Sequence, residues 1–154
     1  MLSFRPVPME QEPARSLAEA MRKEMAVLYD GLVMDAPEMP KAGPAELGPP
    51  SGIFLVGFDE DDEAVCCGGV KGLDDGACEI KRMYVVPRAR RSGRARELLA
   101  ALEDAARGLG YEIARLDTGP RQPHAERFYR EAGYAPIADF NRNPVASFFG
   151  EKAL

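Results

Sequence analysis

The chain has a single histidine, His124, and three cysteines, Cys66, Cys67 and Cys78. Any Ser/His/Asp triad would have to use that one histidine, and no GxSxG elbow exists, so hydrolase chemistry of this kind is not expected. His124 reads instead as a helix-surface residue. An odd number of cysteines, two of them adjacent, makes a poor disulfide framework and suits a reducing compartment. No CxxC and no Cys/His ligand spacing occurs, so nothing predicts a zinc site. No apolar run approaches the roughly 18 residues of a membrane span. The opening MLSFRPVPMEQEP lacks a basic stretch followed by an apolar one, so no secretory leader is expected. These absences point to a cytoplasmic protein that does not engage membranes. Positive charge is also short. The formal net charge is −5 and the pI about 5.0. That disfavours nucleic acid as a partner, because a phosphate backbone demands a basic face.

What remains is the composition of a folded domain: 154 residues, 45% hydrophobic and 29% charged. We expect one domain over residues 1–154. A chain of this length buries roughly two thirds of its unfolded surface and needs no covalent staple.

The apolar pattern predicts a short strand from Leu2 to Val7, then a helix from Glu12 to Tyr29. Leu17, Ala20, Met21, Met25 and Leu28 recur on one face of that helix. From Gly31 to Gly52, five prolines and three further glycines exclude one long helix or strand. A binding loop and a surface excursion are both open there. Ile53 to Phe58 and Ala64 to Val70 read as strands around the acidic turn Asp59–Glu63, expected to be solvated. A metal loop would need spaced ligands and a glycine, which this run lacks. Asp75-Gly76 is a hairpin signal leading into a third strand, Ala77 to Val86. Cys66 and Cys67 should face opposite sides, as buried small residues.

After Pro87 the period changes. Ala95, Leu98, Leu99, Leu102, Ala105, Ala106 and Leu109 make a helix closed by Gly108 and Gly110. A strand from Ile113 to Leu116 and a helix from Gln122 to Ala132 follow. Tyr134 to Ile137 and Ala146 to Phe149 are expected to close the sheet. The fold class is α/β in the mixed, α+β sense.

The stretch from Glu79 to Tyr111 carries the chemistry. A strand runs into an Arg/Gly/Ser loop that opens a helix. A helix N-terminus presents unpaired N–H groups and a positive dipole end, ready for a phosphate. Gly93 permits close backbone approach. Arg88, Arg90, Arg91, Arg94 and Arg96 add cationic donors. A solvated, charged helix start is the plain alternative.

Arg90-Arg91-Ser92-Gly93-Arg94-Ala95 follows the order Gln or Arg, two residues, Gly, one residue, Gly or Ala. The strand end YVVP precedes it, and ERFYREAGY, Glu126 to Tyr134, comes later with a Phe-Tyr pair and a Gly-aromatic exit. This set resembles the GNAT N-acetyltransferases over roughly Ile53 to Leu154. The resemblance implies the GNAT fold, a mixed, mostly antiparallel twisted sheet flanked by helices. It also implies acetyl-CoA as cosubstrate, no metal, and an amine acceptor that is a small molecule or a peptide. Arg90, Arg91, Ser92, Gly93, Arg94, Ala95 and Arg96 carry over as the pyrophosphate loop. Met83, Tyr84 and Val85 carry over as the strand that pairs with pantetheine and polarises the thioester carbonyl. Arg91 stands where the family usually has glycine, and Arg94 where it usually has an apolar residue. Gln122 replaces a frequent asparagine and is carried over as a cofactor contact.

Two side chains are candidates for proton transfer. Glu79 could take the ammonium proton through a water, or be an ion-paired strand glutamate. It is expected to share a strand face with Lys81 and Met83. Tyr129 could donate to the departing thiolate, or be a core tyrosine. Lys81 and Arg82 either orient an anionic group on the acceptor or face solvent. The first helix and the Gly31–Gly52 segment would wall the acceptor site. The leading reading is acetyl transfer to a primary amine by direct attack in a ternary complex. An acyl-CoA-binding or regulatory module without catalysis is the alternative. Oligomeric state stays open, with a homodimer among the options the resemblance brings.

Overall fold

The β-branched and aromatic run Ile53–Phe58 and its neighbours build the centre of the molecule. In the computed structural model, which describes residues 1–154, they belong to a seven-stranded sheet. The strands are β1 (Ser3–Pro6), β2 (Ile53–Phe58), β3 (Ala64–Gly72), β4 (Cys78–Val85), β5 (Ile113–Thr118), β6 (Ala135–Pro136) and β7 (Phe148–Ala153). The helices are α1 (Ala14–Leu28), α2 (Arg94–Gly108) and α3 (Pro123–Glu131). Spatial order is β1-β2-β3-β4-β5-β7-β6, and only β4 and β5 run parallel. No helix is long and apolar enough to cross a membrane.

The three central strands and α2 lie where the sequence pattern places them. The last strand does not: Ala146 to Phe149 was the expected range, and β7 runs from Phe148 to Ala153. An apolar pattern stops at Phe149, but the charged residues beyond it have partners inside the fold. Glu151 meets Arg115 across the ladder at 2.8 Å, and Lys152 reaches the buried Glu103 at 3.0 Å. Strand β6 keeps only two residues of the expected Tyr134 to Ile137.

Cys66 and Cys67 do face opposite sides, and each side has its own core. On one side Leu98, Leu102 and Ala106 of α2, all fully buried, meet Cys66, Val70, Ile80 and Leu116. Each buried leucine there contributes about 1.5–3 kcal/mol. Gly68 sets how closely α2 approaches, because a Cβ there would lie 2.7 Å from Leu102. On the other side Leu17 of α1 packs with Val56, Phe54 and Tyr84, and Leu47 brings in the segment after α1. That segment is therefore packed onto the sheet, not a free excursion.

Two departures from regular geometry shape the site. Between the pairs Cys67↔Tyr84 and Gly69↔Lys81, β3 has one residue and β4 has two, Arg82 and Met83. Arg82 takes φ +61° in this bulge. The extra residue shifts the alternation of side chains. Glu79 and Lys81 face the α1 side, while Met83 packs with Ile80 against the α2 core. Met83 thus does not share the face of Glu79, as simple alternation predicts. The second departure lies between β4 and β5. They pair only at Cys78↔Ala114 and Glu79↔Arg115. Beyond that point β5 follows β7 along its whole length, and a cleft opens beside β4.

Candidate active site

At the mouth of this cleft, β4 passes through a short turn, Pro87–Ala89, into the loop before α2. Arg91 and Gly93 both take left-handed backbone, at φ +63° and +81°. Space around Gly93 is open, so conformation rather than crowding calls for glycine there. The Ser92 hydroxyl donates to the Ala89 carbonyl at 2.8 Å and closes the loop. The first intrahelical bond runs from Glu97 N–H to the Gly93 carbonyl. The N–H groups of Arg94, Ala95 and Arg96 precede it and keep their donors for an anion.

The arginine side chains are less free than the sequence suggests. Arg90 clasps Glu24 of α1 through both carboxylate oxygens at 2.8 Å and donates to the Val85 carbonyl. Arg94 pairs with Glu97 at 3.0 Å and with Glu60 at 3.6 Å. Arg88 lies 4.0 Å from Asp59. The acidic turn is solvated, as expected, with Glu60 to Glu63 exposed, and it also supplies counterions to the basic loop. Arg91 and Arg96 have no carboxylate within 4.0 Å.

Inside the cleft, α3 brings Tyr129 to β4, with its hydroxyl 3.6 Å from the Met83 sulfur. No oxygen or nitrogen accepts from this hydroxyl. Burial, and secondly the charge of Asp117, push the phenol well above the ordinary tyrosine range, so it stays a neutral donor. Phe128 and Tyr134 hold the ring, at 5.4 and 6.1 Å between centroids.

On the α1 side the cleft continues into a cavity of about 110 Å³. Met21 and Met25 of α1, Met34 and Met39 of the following segment, and Lys81, Arg82 and Asp117 line it. It is small beside the roughly 300–1,000 Å³ of drug-sized ligand sites.

Residues 15–134 match the Acetyltransferase (GNAT) family. The chain belongs to the GNAT acetyltransferases. An uncharacterized N-acetyltransferase of Schizosaccharomyces pombe is 34% identical over 99 residues, 64% of this chain and 61% of the relative. The chain thus spans less than two thirds of that relative's length. The IAA acetyltransferase of Azospirillum brasilense is 36% identical over 112 residues, 70% of this chain and 72% of the relative. The PaiA N-acetyltransferase of Thermoplasma acidophilum, solved with coenzyme A, has the same fold. Its TM-score is 0.69 at 16% identity, covering 100% of this chain and 99% of that one. By its family this GNAT protein is an acyltransferase, and a protein of the same fold holds coenzyme A. The residues present would fit such a ligand: free N–H donors stand at the mouth, and unpaired strand edge runs along the cleft.

Glu79 lies behind the cavity and is fully buried. Its Oε2 accepts from Lys81 Nζ at 3.1 Å and from Asn141 Nδ2 at 2.8 Å. Its Oε1 is buried without a partner, and Lys71 Nζ lies 4.0 Å away. Asn141 and Asn143 also donate to Asp117, at 2.6 and 3.0 Å. Sequence reasoning missed Asp117, Asn141 and Asn143. They come from β5 and a turn before β7, and no local pattern links them to Glu79. An asparagine pair beside a short strand was the only available signal.

Gln122 sits at the start of α3 on the cavity wall, where its Oε1 accepts from Tyr29 at 3.1 Å. His124 is exposed. The three cysteines are buried. Burial pushes Cys78 up to about 11 and Cys66 up to about 12, and raises Cys67 further. Thiols held this far up carry almost no thiolate at neutral pH and supply no nucleophile. No group of three or more His, Cys, Asp or Glu side chains is placed to hold a metal ion.

Proposed function

We propose that the 154-residue domain transfers acetyl directly to a primary amine in a ternary complex. The observation that carries this reading is the meeting of three parts along β4. The phosphate loop stands at one end, the Tyr129 hydroxyl at the middle, and the small cavity with Asp117 and Lys81 on the other side. Bound acetyl-CoA supplies a thioester whose carbonyl carbon the amine attacks and whose sulfur then leaves.

The chain's own residues do the rest. Backbone N–H groups from Arg91 to Arg96 hold the pyrophosphate. The β4 edge over Met83, Tyr84 and Val85 pairs with the pantetheine arm, and a β4 N–H polarises the carbonyl. A donor fixed in this way is worth roughly 2.7–4 kcal/mol of barrier. Glu79 takes the ammonium proton through a water satisfying its orphaned Oε1, since a buried carboxylate oxygen demands a partner. Tyr129 gives its proton to the departing sulfur. Gln122 borders the cofactor end of the cavity, and Arg90 fixes the loop against α1. With its thiols protonated, the protein has no cysteine to carry the acetyl group.

Acetyl-CoA should stabilise the fold. At a hundredfold excess over its dissociation constant the gain is about 2.7 kcal/mol. For a chain of this size the melting temperature should rise by roughly 5–10 °C. Thiol release from acetyl-CoA should then appear with some members of a panel of amines. Stabilisation without release from any amine would favour the non-catalytic acyl-CoA-binding module.

A further inference from the structure

Arg82 has a backbone conformation that arginine rarely adopts. Its φ is +61°, a strained setting for a residue with a Cβ. The bulge that imposes it turns the side chain onto the cavity wall instead of along the regular face of β4. The other cations nearby are occupied. Lys81 lies between Glu79 at 3.1 Å and Asp117 at 3.8 Å. Lys71 donates to the Lys41 carbonyl at 2.6 Å and faces Glu79. Arg82 has no carboxylate within 4.0 Å, and its side chain's only hydrogen bond is a long one from Nε to the Ala42 carbonyl, 3.5 Å. Both terminal amino groups of its guanidinium are left without a partner at a half-buried wall. A planar fork of this kind matches a carboxylate through two parallel bonds.

The rest of the cavity has a different character. Asp117, whose side chain is 11% exposed, offers a negative charge on the cleft side. Five of the seven methionines, Met21, Met25, Met34, Met39 and Met83, line the same space. Thioether side chains make an apolar wall that adapts to the shape of its guest. Resting on the acetyltransferase reading above, we infer that the acceptor is a compact apolar amino acid. Its carboxylate lies on Arg82, its ammonium is steered by Asp117 toward the cleft, and its side chain lies among the methionines. Burial also draws the Arg82 guanidinium below its ordinary range, and an arriving anion would reverse that.

The test uses thiol release from acetyl-CoA with four acceptors: L-leucine, L-methionine, L-leucinamide and isoamylamine. The last two keep the amine and the apolar group but lack the carboxylate. The wild-type protein should prefer leucine over leucinamide by at least about tenfold in kcat/KM. Arg82→Gln should raise KM for leucine by roughly ten- to a hundredfold and leave kcat near its original value. It should also erase the preference over leucinamide. Arg82→Lys should recover only part of the loss, since a point charge does not reproduce the fork. An unchanged melting rise with acetyl-CoA certifies that each variant is folded.

Equal or better turnover of leucinamide or isoamylamine by the wild type would overturn the inference and leave the acetyltransferase intact. So would an Arg82→Gln protein with wild-type KM for leucine. Melting stabilisation by acetyl-CoA with no release from any of the four would also overturn the inference, and a wider amine panel would then decide the activity. Absence of both stabilisation and release would overturn inference and activity together.

Discussion

Tyr129→Phe should cut turnover by roughly a hundredfold while acetyl-CoA affinity stays as it was. The substitution removes one oxygen whose sole hydrogen-bond partner is the Met83 sulfur, a weak acceptor. The ring contacts with Phe128 and Tyr134 remain, so the fold should barely notice. An intact thioester carries no charge at the sulfur, and the hydroxyl gains its value only as the carbon–sulfur bond breaks. Lost turnover with unchanged binding is the mark of an interaction made in the transition state. Calorimetric titration of acetyl-CoA alongside steady-state kinetics measures both quantities. Weak binding with a normal maximal rate would make Tyr129 a ground-state contact. A drop in stability with normal kinetics would make it a core residue.

The second large effect is expected at Glu79. Glu79→Gln is nearly silent in shape. An amide oxygen at the Oε2 position still accepts from Lys81 and Asn141, and the amide nitrogen falls where Oε1 has no partner. Only the charge is lost, and with it the ability to take a proton. Turnover at pH 7 should fall by roughly a hundredfold or more. The deficit should narrow as pH rises, because the acceptor amine then loses its proton to solvent. An unchanged rate at pH 7 would return Glu79 to a structural role. Glu79→Leu is the contrasting case. It removes the nearer carboxylate of the buried Lys81 and leaves Lys81 and Asn141 with Asp117 alone, which should cost about 3–5 kcal/mol of stability. A thermal scan of both variants separates charge from packing.

Much of this architecture is legible in the chain itself. The periodicity of Leu98, Leu99, Leu102 and Ala106 gives α2, and Asp75-Gly76 gives the hairpin into β4. The glycine and helix start at Gly93 mark the loop that opens α2. Other features have no local signal. Nothing in the sequence around Arg82 announces a left-handed residue, because arginine has no preference for it. The bulge is imposed by the pairing of β4 with β3, a long-range effect. Asn141, which donates to Glu79, arrives from about sixty residues downstream, and Asp117, which accepts from the same Asn141, from about forty. Charged residues in β7 hide that strand from an apolar pattern until Arg115 and Glu103 are seen opposite them.

The clasped arginines at the loop bear on how ionic strength acts. Arg88, Arg90 and Arg94 each carry a built-in counterion, from Asp59, Glu24 and Glu60. Glu60 keeps its charge throughout the working range, since the N-terminal ammonium holds it down at about 2. The basic run is thus largely self-neutralised before any phosphate arrives, which agrees with a chain of net charge −5. Long-range attraction to polyanions is weak for such a surface, whatever its arginine count. On the reading proposed above, a nucleotide-bearing ligand would be held mainly at contact distance, by the N–H groups at the head of α2, where dissolved salt screens little. On that reading the loop would admit a pyrophosphate that fits its backbone while drawing little on bulk nucleic acid around it.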